Sequence, residues 1–324
     1  MISPKDFAQA KHYSINDLSE LPELAKTLRE KYPDEPFIIE VASNCRGHIK
    51  FPYDNFYIKG PAKISDSLYA RMLDENGEEL TTWKTATVKI SGSHNIFEKL
   101  SFINDGGDRT NKGQMVACAV YGDDNLFIDC DFHSSQDTLF VGPLPKDLQK
   151  RYENFIPEDE RTQRGRYMNC FSRCLIEGDV DYIFGAGGAI FDRCELISNG
   201  PGWIAAPSHE LEEDFGYLFN ECRCHFPNVK EKPGGYFLAR PWRDYGKVVF
   251  LNCEYGEGLN EEGFADWVDR HHHLSNPNDT DRTKTARFYE YPLRKNRVEW
   301  TSNKDGEEAD KKYEEAVGKL RESL

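Results

Sequence analysis

The stretch that decides the fold is Asn125-Leu-Phe-Ile-Asp-Cys-Asp-Phe132, because versions of it recur along the chain. Each version has an aromatic residue, two further residues of which the second is polar, a Cys or Leu, and an apolar residue two positions further on. The other versions are Asn95–Phe102, Ala189–Leu196, Tyr217–Cys224, Val248–Tyr255 and, more loosely, Phe171–Ile176. The aligned Leu or Cys positions are 100, 130, 174, 194, 222 and 253. Repeats of this length, which bury a face only by stacking on one another, indicate a solenoid.

The spacing inside the repeat predicts the kind of solenoid. Side chains on one face of a strand recur at even spacing, so the odd step of three from Phe to Cys requires the chain to turn a corner. The segments are rich in β-forming residues and no helical pattern separates them, which predicts an all-β parallel β-helix.

The cysteines then form a ladder of small buried apolar side chains inside the β-helix. There are nine of them, an odd number, and their positions do not form a disulfide framework. Cys222-x-Cys224-His225 is too isolated a cluster to predict a zinc site.

Helical periodicity is confined to the two ends of the chain. The first helix is predicted at about 18–32, where apolar residues recur at three- and four-residue spacing. The second is predicted at about 307–324, as an amphipathic cap on one end of the solenoid, with Tyr313, Ala316, Val317 and Leu320 on one face. No Pro/Gly/Ser-rich linker divides the chain, so residues 1–324 are expected to form a single domain.

The charge balance excludes some partners. The chain has 41 basic and 56 acidic residues, a net charge of −15, which disfavours binding to nucleic acid or to an anionic membrane. No apolar run approaches the roughly 20 residues that a membrane span needs. The start, Met-Ile-Ser-Pro-Lys-Asp, lacks the basic and apolar regions of a signal peptide. We therefore expect a cytoplasmic protein, or a secreted one if a leader has been removed.

One acid interrupts an apolar segment. Asp181 lies within Gly178–Gly188, in the middle of a predicted Val-x-Tyr-Ile-Phe strand. Acids are depleted in strands, and an unpaired buried carboxylate costs several kcal/mol. The sequence therefore predicts a partner for Asp181. The alternative is an Asp at a strand end that hydrogen-bonds within a turn.

Three other segments carry polar residues within otherwise apolar, strand-like sequence. They contribute Gln114, the pair Gln136 and Asp137, and Arg240. Taken singly, these residues fit a turn hydrogen bond, an Asx-turn and a surface charge. Equivalent positions on neighbouring coils lie only about 5 Å apart, however, so the two acids, two amides and one arginine can converge. Such convergence is what a catalytic site requires.

Four motifs, in order, resemble those of the pectin methylesterases: Gly113-Gln114, Gln136–Phe140, Val180–Gly185 and Leu238–Trp242. The resemblance covers about residues 85 to 270 and extends more weakly to Trp203–Pro207 and Gly263–Trp267. It implies a right-handed parallel β-helix whose active site lies in an open cleft on the outer face.

The resemblance also implies a role for each residue. Asp181 would be the nucleophile and Asp137 the acid/base, with Gln114 and Gln136 as oxyanion donors and Arg240 as the partner of Asp181. The positions that match substrate contacts of the family are Phe140, Val180, Phe184 and Trp242. The implied reaction removes methyl esters from the C6 carboxyls of galacturonate in pectin or oligogalacturonides, without a metal or cofactor.

The chain departs from the family pattern at three places. The usual Gly-x-Tyr-x-Glu signature is replaced by Phe37–Gly47, and the motif arginine follows Leu238-Ala239 rather than Leu-Gly. Val141–Arg166 resembles an insertion, rich in charge and proline, beside the cleft. These changes predict shorter or differently decorated substrate chains. His271–His273 is interpreted as a solvated loop.

Two other functions fit a β-helix of this kind. A polygalacturonase-type enzyme would use two or three acids to cleave the glycosidic bond. A non-catalytic carbohydrate-binding β-helix would lack one of the motif residues, whereas all of them are present here. Paired glutamines and a single arginine favour ester chemistry.

Overall fold

The computed structural model describes residues 1–154, 156–161, 167–228, 230, 234–267, 281–299 and 306–324. The predicted loop at His271–His273 lies outside these residues, as do residues 155 and 162–166 of the insertion. The strands are β1 (Lys11–Asp17), β2 (Phe37–Ser43), β3 (Cys45–Arg46), β4 (Ile49–Phe51), β5 (Phe56–Asp66), β6 (Val88–Ile90), β7 (Ile96–Asn104), β8 (Cys118–Val120), β9 (Leu126–Ile128), β10 (Asp131–His133), β11 (Leu139–Val141), β12 (Met168–Ser172), β13 (Leu175–Gly178), β14 (Ile183–Gly185), β15 (Gly188–Asp192), β16 (Glu195–Ser198), β17 (Gly202–Pro207), β18 (Tyr217–Asn220), β19 (Arg223–His225), β20 (Tyr236–Ala239), β21 (Lys247–Leu251), β22 (Glu254–Tyr255) and β23 (Arg287–Tyr291). The helices are α1 (Leu21–Lys31), α2 (Lys146–Arg151), α3 (Glu158–Arg161) and α4 (Gly306–Ser323).

The strands stack in parallel into two sheets. Among the described residues, sixteen strands belong to a large sheet that folds around two sides of the molecule. A small sheet of seven strands, in the order β20-β17-β14-β11-β8-β6-β4, forms the third side. Most coils contribute strands to both sheets; β9 and β10, for example, lie in the large sheet and β11 in the small one. This arrangement confirms the predicted parallel β-helix.

Each coil turns its corner where the repeat predicts one. The residue before each aligned Leu or Cys has a left-handed backbone, which is uncommon for residues other than glycine. These residues are Lys99, Asp129, Arg173, Arg193, Glu221 and Asn252, with φ between 50° and 54°. The corner lets both Phe and Cys point inward although they are three residues apart.

The core is built from ladders of identical side chains. Six Phe rings stack with centroids 4.5–5.0 Å apart, at positions 97, 127, 171, 191, 219 and 250. Beside them, the thiol of each ladder cysteine donates a hydrogen bond to the carbonyl of a Phe on the preceding coil, as Cys130 does to Phe97 at 3.3 Å. All nine cysteines are free. The cysteines at these ladder positions are therefore the buried packing residues that the repeat predicts.

The two terminal helices cover different surfaces. Leu21, Ala25 and Leu28 of α1 pack into the same apolar core as the inner faces of the first coils, close to β4. No helix in the described part of the chain is both long enough and apolar enough to cross a membrane.

The prediction that the C-terminal helix caps one end of the solenoid is wrong. Tyr313, Val317 and Leu320 of α4 instead pack against the outer face of the large sheet. That face carries an apolar column of outward-pointing residues: Ile38, Tyr57, Ile96, Leu126, Cys170, Ile190, Leu218 and Val249. An apolar sheet face must be covered; α4 covers part of this column, and Phe7 packs on Tyr57, with ring centroids 5.6 Å apart.

The outer face of the small sheet is covered in part by the insertion. Leu144, Leu148 and Ile156 pack in one apolar cluster with Trp83 and Phe140. Two ion pairs connect the insertion to residues that follow it in the sequence. Asp147 pairs with Arg243 at 2.8 Å, and Lys146 pairs with Glu210 at 3.6 Å. The insertion therefore lies beside the cleft, as the sequence predicts.

Candidate active site

The two acids occupy equivalent turns on adjacent coils. Asp137 lies two residues before β11 and Asp181 two residues before β14, and β11 and β14 pair in register. Both acids have a left-handed backbone, with φ of 64° and 52°, a conformation that Asp tolerates better than most residues. The expectation that Asp181 lies in the middle of a strand is therefore wrong. Asp181 lies in the connection between β13 of the large sheet and β14 of the small sheet, and the strand begins at Ile183.

Asp181 has the partner that its burial requires. Asp181 is 5% exposed, and its carboxylate accepts two hydrogen bonds from Arg240, from Nε to Oδ1 at 2.9 Å and from Nη2 to Oδ2 at 2.5 Å. Arg240 directly follows β20, and its backbone N–H donates to the carbonyl of Ala205 at 3.0 Å. The result is a bidentate ion pair, which fixes the orientation of the carboxylate.

Two tryptophans hold the guanidinium between them. The Arg240 Cζ lies 3.6 Å from the ring centroid of Trp203 and 4.0 Å from that of Trp267. A cation on an aromatic face is attracted by about 0.5–2 kcal/mol. Trp203 in turn stacks on Phe237 of the next strand, with centroids 6.0 Å apart. Sequence reasoning gave neither tryptophan a role, although both lie in segments that resemble the family.

Asp137 has a different environment from Asp181. It is 8% exposed, and its backbone N–H donates to the carbonyl of Val180 at 3.0 Å. Burial is the main cause that raises the pKa of Asp137 well above its usual value, and the charge of Asp181 raises it further. Arg240 and a hydrogen bond from Gln136 oppose these effects without cancelling them. The two acids therefore differ: Asp181 is an ion-paired carboxylate, whereas Asp137 favours its protonated form.

A cavity of about 200 Å³ brings these groups together. It is lined by Thr82, Trp83, Gln114, Gln136, Asp137, Asp181, Phe184, Ala206, Arg240, Trp242 and Trp267. The backbone carbonyl of Gln114 accepts from Ala70 at 2.9 Å, and that of Gln136 accepts from Met115 at 3.0 Å. Both glutamines line the same cavity as the two acids. All five residues predicted as catalytic therefore lie around one cavity.

The four predicted substrate contacts divide into two pairs. Phe184 and Trp242 line the cavity, with ring centroids 5.9 Å apart. Phe140, by contrast, is 1% exposed and lies beside Phe184 on the adjacent strand, with ring centroids 5.1 Å apart, and it does not line the cavity. Val180 is buried and lies outside the lining; its carbonyl anchors Asp137.

Sequence reasoning also missed two lining residues, Thr82 and Trp83. They belong to a short 3-10 turn, Thr82–Lys84, in a polar segment without periodicity. A lone tryptophan in such a segment is the only signal that could have identified them.

The sequence profile of the Pectinesterase family matches residues 53–144 and 162–317. The chain belongs to the pectinesterase family. Pectinesterase A of Emericella nidulans is 31% identical over 185 residues, which cover 56% of this chain and 48% of that protein. A probable pectinesterase A of Aspergillus fumigatus is 32% identical over 189 residues, with the same coverage of both. The chain thus matches about half the length, or less, of these and other curated pectinesterases.

Solved structures of pectinesterases share the fold. The pectin methylesterase PemA of Erwinia chrysanthemi superimposes with a TM-score of 0.67 at 21% identity, over 93% of this chain and 94% of that one. The carrot enzyme has a TM-score of 0.65 at 20% identity and covers 85% of this chain and 82% of its own. A pectin methylesterase in complex with a hexasaccharide has a TM-score of 0.62 at 23% identity, over 85% and 86% of the two chains.

Proposed function

We propose that this chain is a carboxylic ester hydrolase that removes methyl esters from galacturonate C6 carboxyls in pectin or oligogalacturonides and releases methanol. The observation that carries the proposal is the contrast between the two acids in one cavity. Asp181 is ion-paired with Arg240, whereas burial raises the pKa of Asp137. A nucleophilic carboxylate and a protonated acid are the two groups that this reaction needs.

The reaction proceeds in two halves. In the first, a carboxylate oxygen of Asp181 attacks the ester carbonyl to form a tetrahedral intermediate. The intermediate collapses to an anhydride between Asp181 and the C6 carboxyl, and methanol leaves with the proton of Asp137. In the second half, Asp137 takes a proton from water as the water attacks the anhydride. This step releases the galacturonate carboxylate and restores both acids.

Gln114 and Gln136 stabilise the negatively charged intermediate. Negative charge develops on the ester oxygen as Asp181 attacks, and amide N–H groups beside the acids can donate to it. A donor aimed at such an oxyanion contributes about 10²- to 10³-fold to the rate.

Aromatic side chains make the cavity suitable for an uncharged ester on a sugar. Phe184, Trp242 and Trp83 supply apolar surface for the methyl group and the sugar faces. The related enzyme solved with a hexasaccharide supports an oligosaccharide as the ligand class. A protein with a net charge of −15 repels polygalacturonate, so esterified chains are the better substrates.

The test is methanol release from methyl-esterified oligogalacturonides by the wild type and by Asp181→Asn, whose side chain has nearly the same volume. We expect release by the wild type and its loss in the variant, with unchanged folding by circular dichroism. Formation of new reducing ends without methanol would support a glycoside hydrolase instead. Binding without either product would support a non-catalytic β-helix.

A further inference from the structure

A second cavity borders the proposed active site along the outer face of the small sheet. It has a volume of about 280 Å³ and shares Trp83 with the first cavity. Its charged lining residues are His48, Lys50, Lys84, Lys89 and Glu160. Lys50 and Lys89 occupy paired positions on the adjacent strands β4 and β6.

The carboxylate of Glu160 contacts both lysines. Glu160 is 3% exposed, and the Nζ of Lys89 lies 2.9 Å from its Oε2 and 3.2 Å from its Oε1. The Nζ of Lys50 lies 3.5 Å from Glu160 Oε1. Two ammonium groups of the scaffold therefore contact the same carboxylate.

The remaining charged groups have partners of their own. Lys84 pairs with Asp74 at 3.4 Å, and the Nδ1 of His48 lies 2.9 Å from Asp66. Glu160 belongs to α3 in the insertion, which reaches the cavity together with Ile156 and Pro157. The insertion thus delivers a carboxylate to a lysine pair whose members both belong to the β-helix scaffold.

The lysine pair lies in line with the proposed active site. Strand β6 is three strands from β14 in the small sheet, a distance of about 14 Å at the usual strand spacing. Lys89 and Phe184 stand in the same outward column, through Ala119 and Phe140. A sugar chain that follows the cleft away from Asp181 would reach the lysine pair after several units.

We propose that Lys50 and Lys89 form a subsite for a free uronate carboxylate of a partly de-esterified chain, and that Glu160 occupies this subsite until substrate displaces it. The identity of the ligand rests on the proposed function. A galacturonate carboxylate presents the same group as Glu160 to the same two ammonium donors. Because the two carboxylates compete, the insertion weakens binding of chains that carry a free acid at this distance from the ester.

The decisive measurement is the affinity for hexagalacturonate without esters, determined by isothermal titration calorimetry. Glu160→Gln removes the competing charge with little change in volume, and we expect it to bind about tenfold more tightly than the wild type. Glu153→Gln is the matched control, because it removes the same charge from an exposed position in the same insertion. Its affinity should stay within about twofold of the wild type. Equal affinities of these two variants would overturn the proposal.

A third variant tests the lysines directly. The side chain of Lys50 is 61% exposed, so Lys50→Met should fold whatever the effect of changes at Glu160. We expect Lys50→Met to bind hexagalacturonate more weakly than the wild type and to cancel the gain in the Glu160→Gln background. Unchanged affinity in both backgrounds would overturn the subsite.

Methanol release separates this proposal from the proposed function. Glu160→Gln should lower KM for partly de-esterified oligomers and leave KM for fully esterified ones unchanged. An equal change in both would assign Glu160 a purely structural role. If the wild type releases no methanol but the binding differences hold, the esterase assignment fails while the carboxylate subsite stands.

Discussion

Replacement of Asp137 by Asn should make the protein more stable and inactive at the same time. Asp137 is 8% exposed, and burial together with the charge of Asp181 raises its pKa well above the usual value. In the unfolded chain the same carboxyl has a pKa of about 3.9. Between these two pKa values the native state holds a proton that the unfolded state has lost, so stability falls as pH rises.

The size of the effect follows from this linkage. Each pH unit in that interval lowers the free energy of unfolding by up to about 1.4 kcal/mol. Asn cannot ionise, so Asp137→Asn removes this slope. Asn also tolerates the left-handed backbone at φ 64°, so the exchange adds little strain. Within that interval, the gain of the variant over the wild type should therefore grow by up to about 1.4 kcal/mol with each pH unit.

Urea unfolding of both proteins at pH 4, 5, 6 and 7 measures this difference. The gain should be smallest at pH 4 and grow with pH, while methanol release falls by about 10²- to 10⁴-fold. Asp34→Asn is the control, because it makes the same chemical change at an exposed position. A difference between wild type and Asp137→Asn that does not depend on pH would refute the reasoning about burial.

Four other predictions follow from the site and the fold. Arg240→Lys loses the bidentate pair and the stacking between two tryptophans, so kcat for methanol release should fall about 10- to 100-fold; an unchanged kcat would contradict the role of the ion pair. At low salt, catalytic efficiency should fall steeply as neighbouring sugars are de-esterified, because a protein with a net charge of −15 repels the carboxylates that are formed. Trp242→Ala removes a residue that lines the cavity, so it should raise KM more than Tyr245→Ala at the exposed surface. Activity should survive excess EDTA, since the proposed mechanism gives every role to a side chain; calcium-dependent activity would point to another reaction. Leu320→Ala, in the fully buried face of α4, should cost about 2–5 kcal/mol in urea unfolding, and a loss below 0.5 kcal/mol would mean that α4 does not stabilise the sheet.

The repeat in the sequence determined the β-helix and its core. Stacked coils place equivalent residues on top of one another, so a recurring pattern of Phe and Cys becomes a ladder whatever the loops between the coils contain. The corner before each cysteine could be predicted for the same reason, since Phe and Cys cannot both face inward along an uninterrupted strand. The five candidate catalytic residues could be named because acids, amides and an arginine stood out against an apolar repeat.

The tertiary structure alone decided which surfaces are covered and which side chains reach the cavity. The sequence shows that Phe140 and Phe184 occupy similar positions, but only the packing shows that Phe184 lines the cavity and that Phe140, on the adjacent strand, does not. The strands carry apolar residues on both faces, a pattern typical of any buried strand, so the sequence could not show that α4 covers the side of the sheet instead of its end. The contacts of Arg240 with Trp203 and Trp267, and of Glu160 with Lys89, join residues from different coils and loops. Such contacts depend on distances in the folded chain, and no local pattern in the sequence records them.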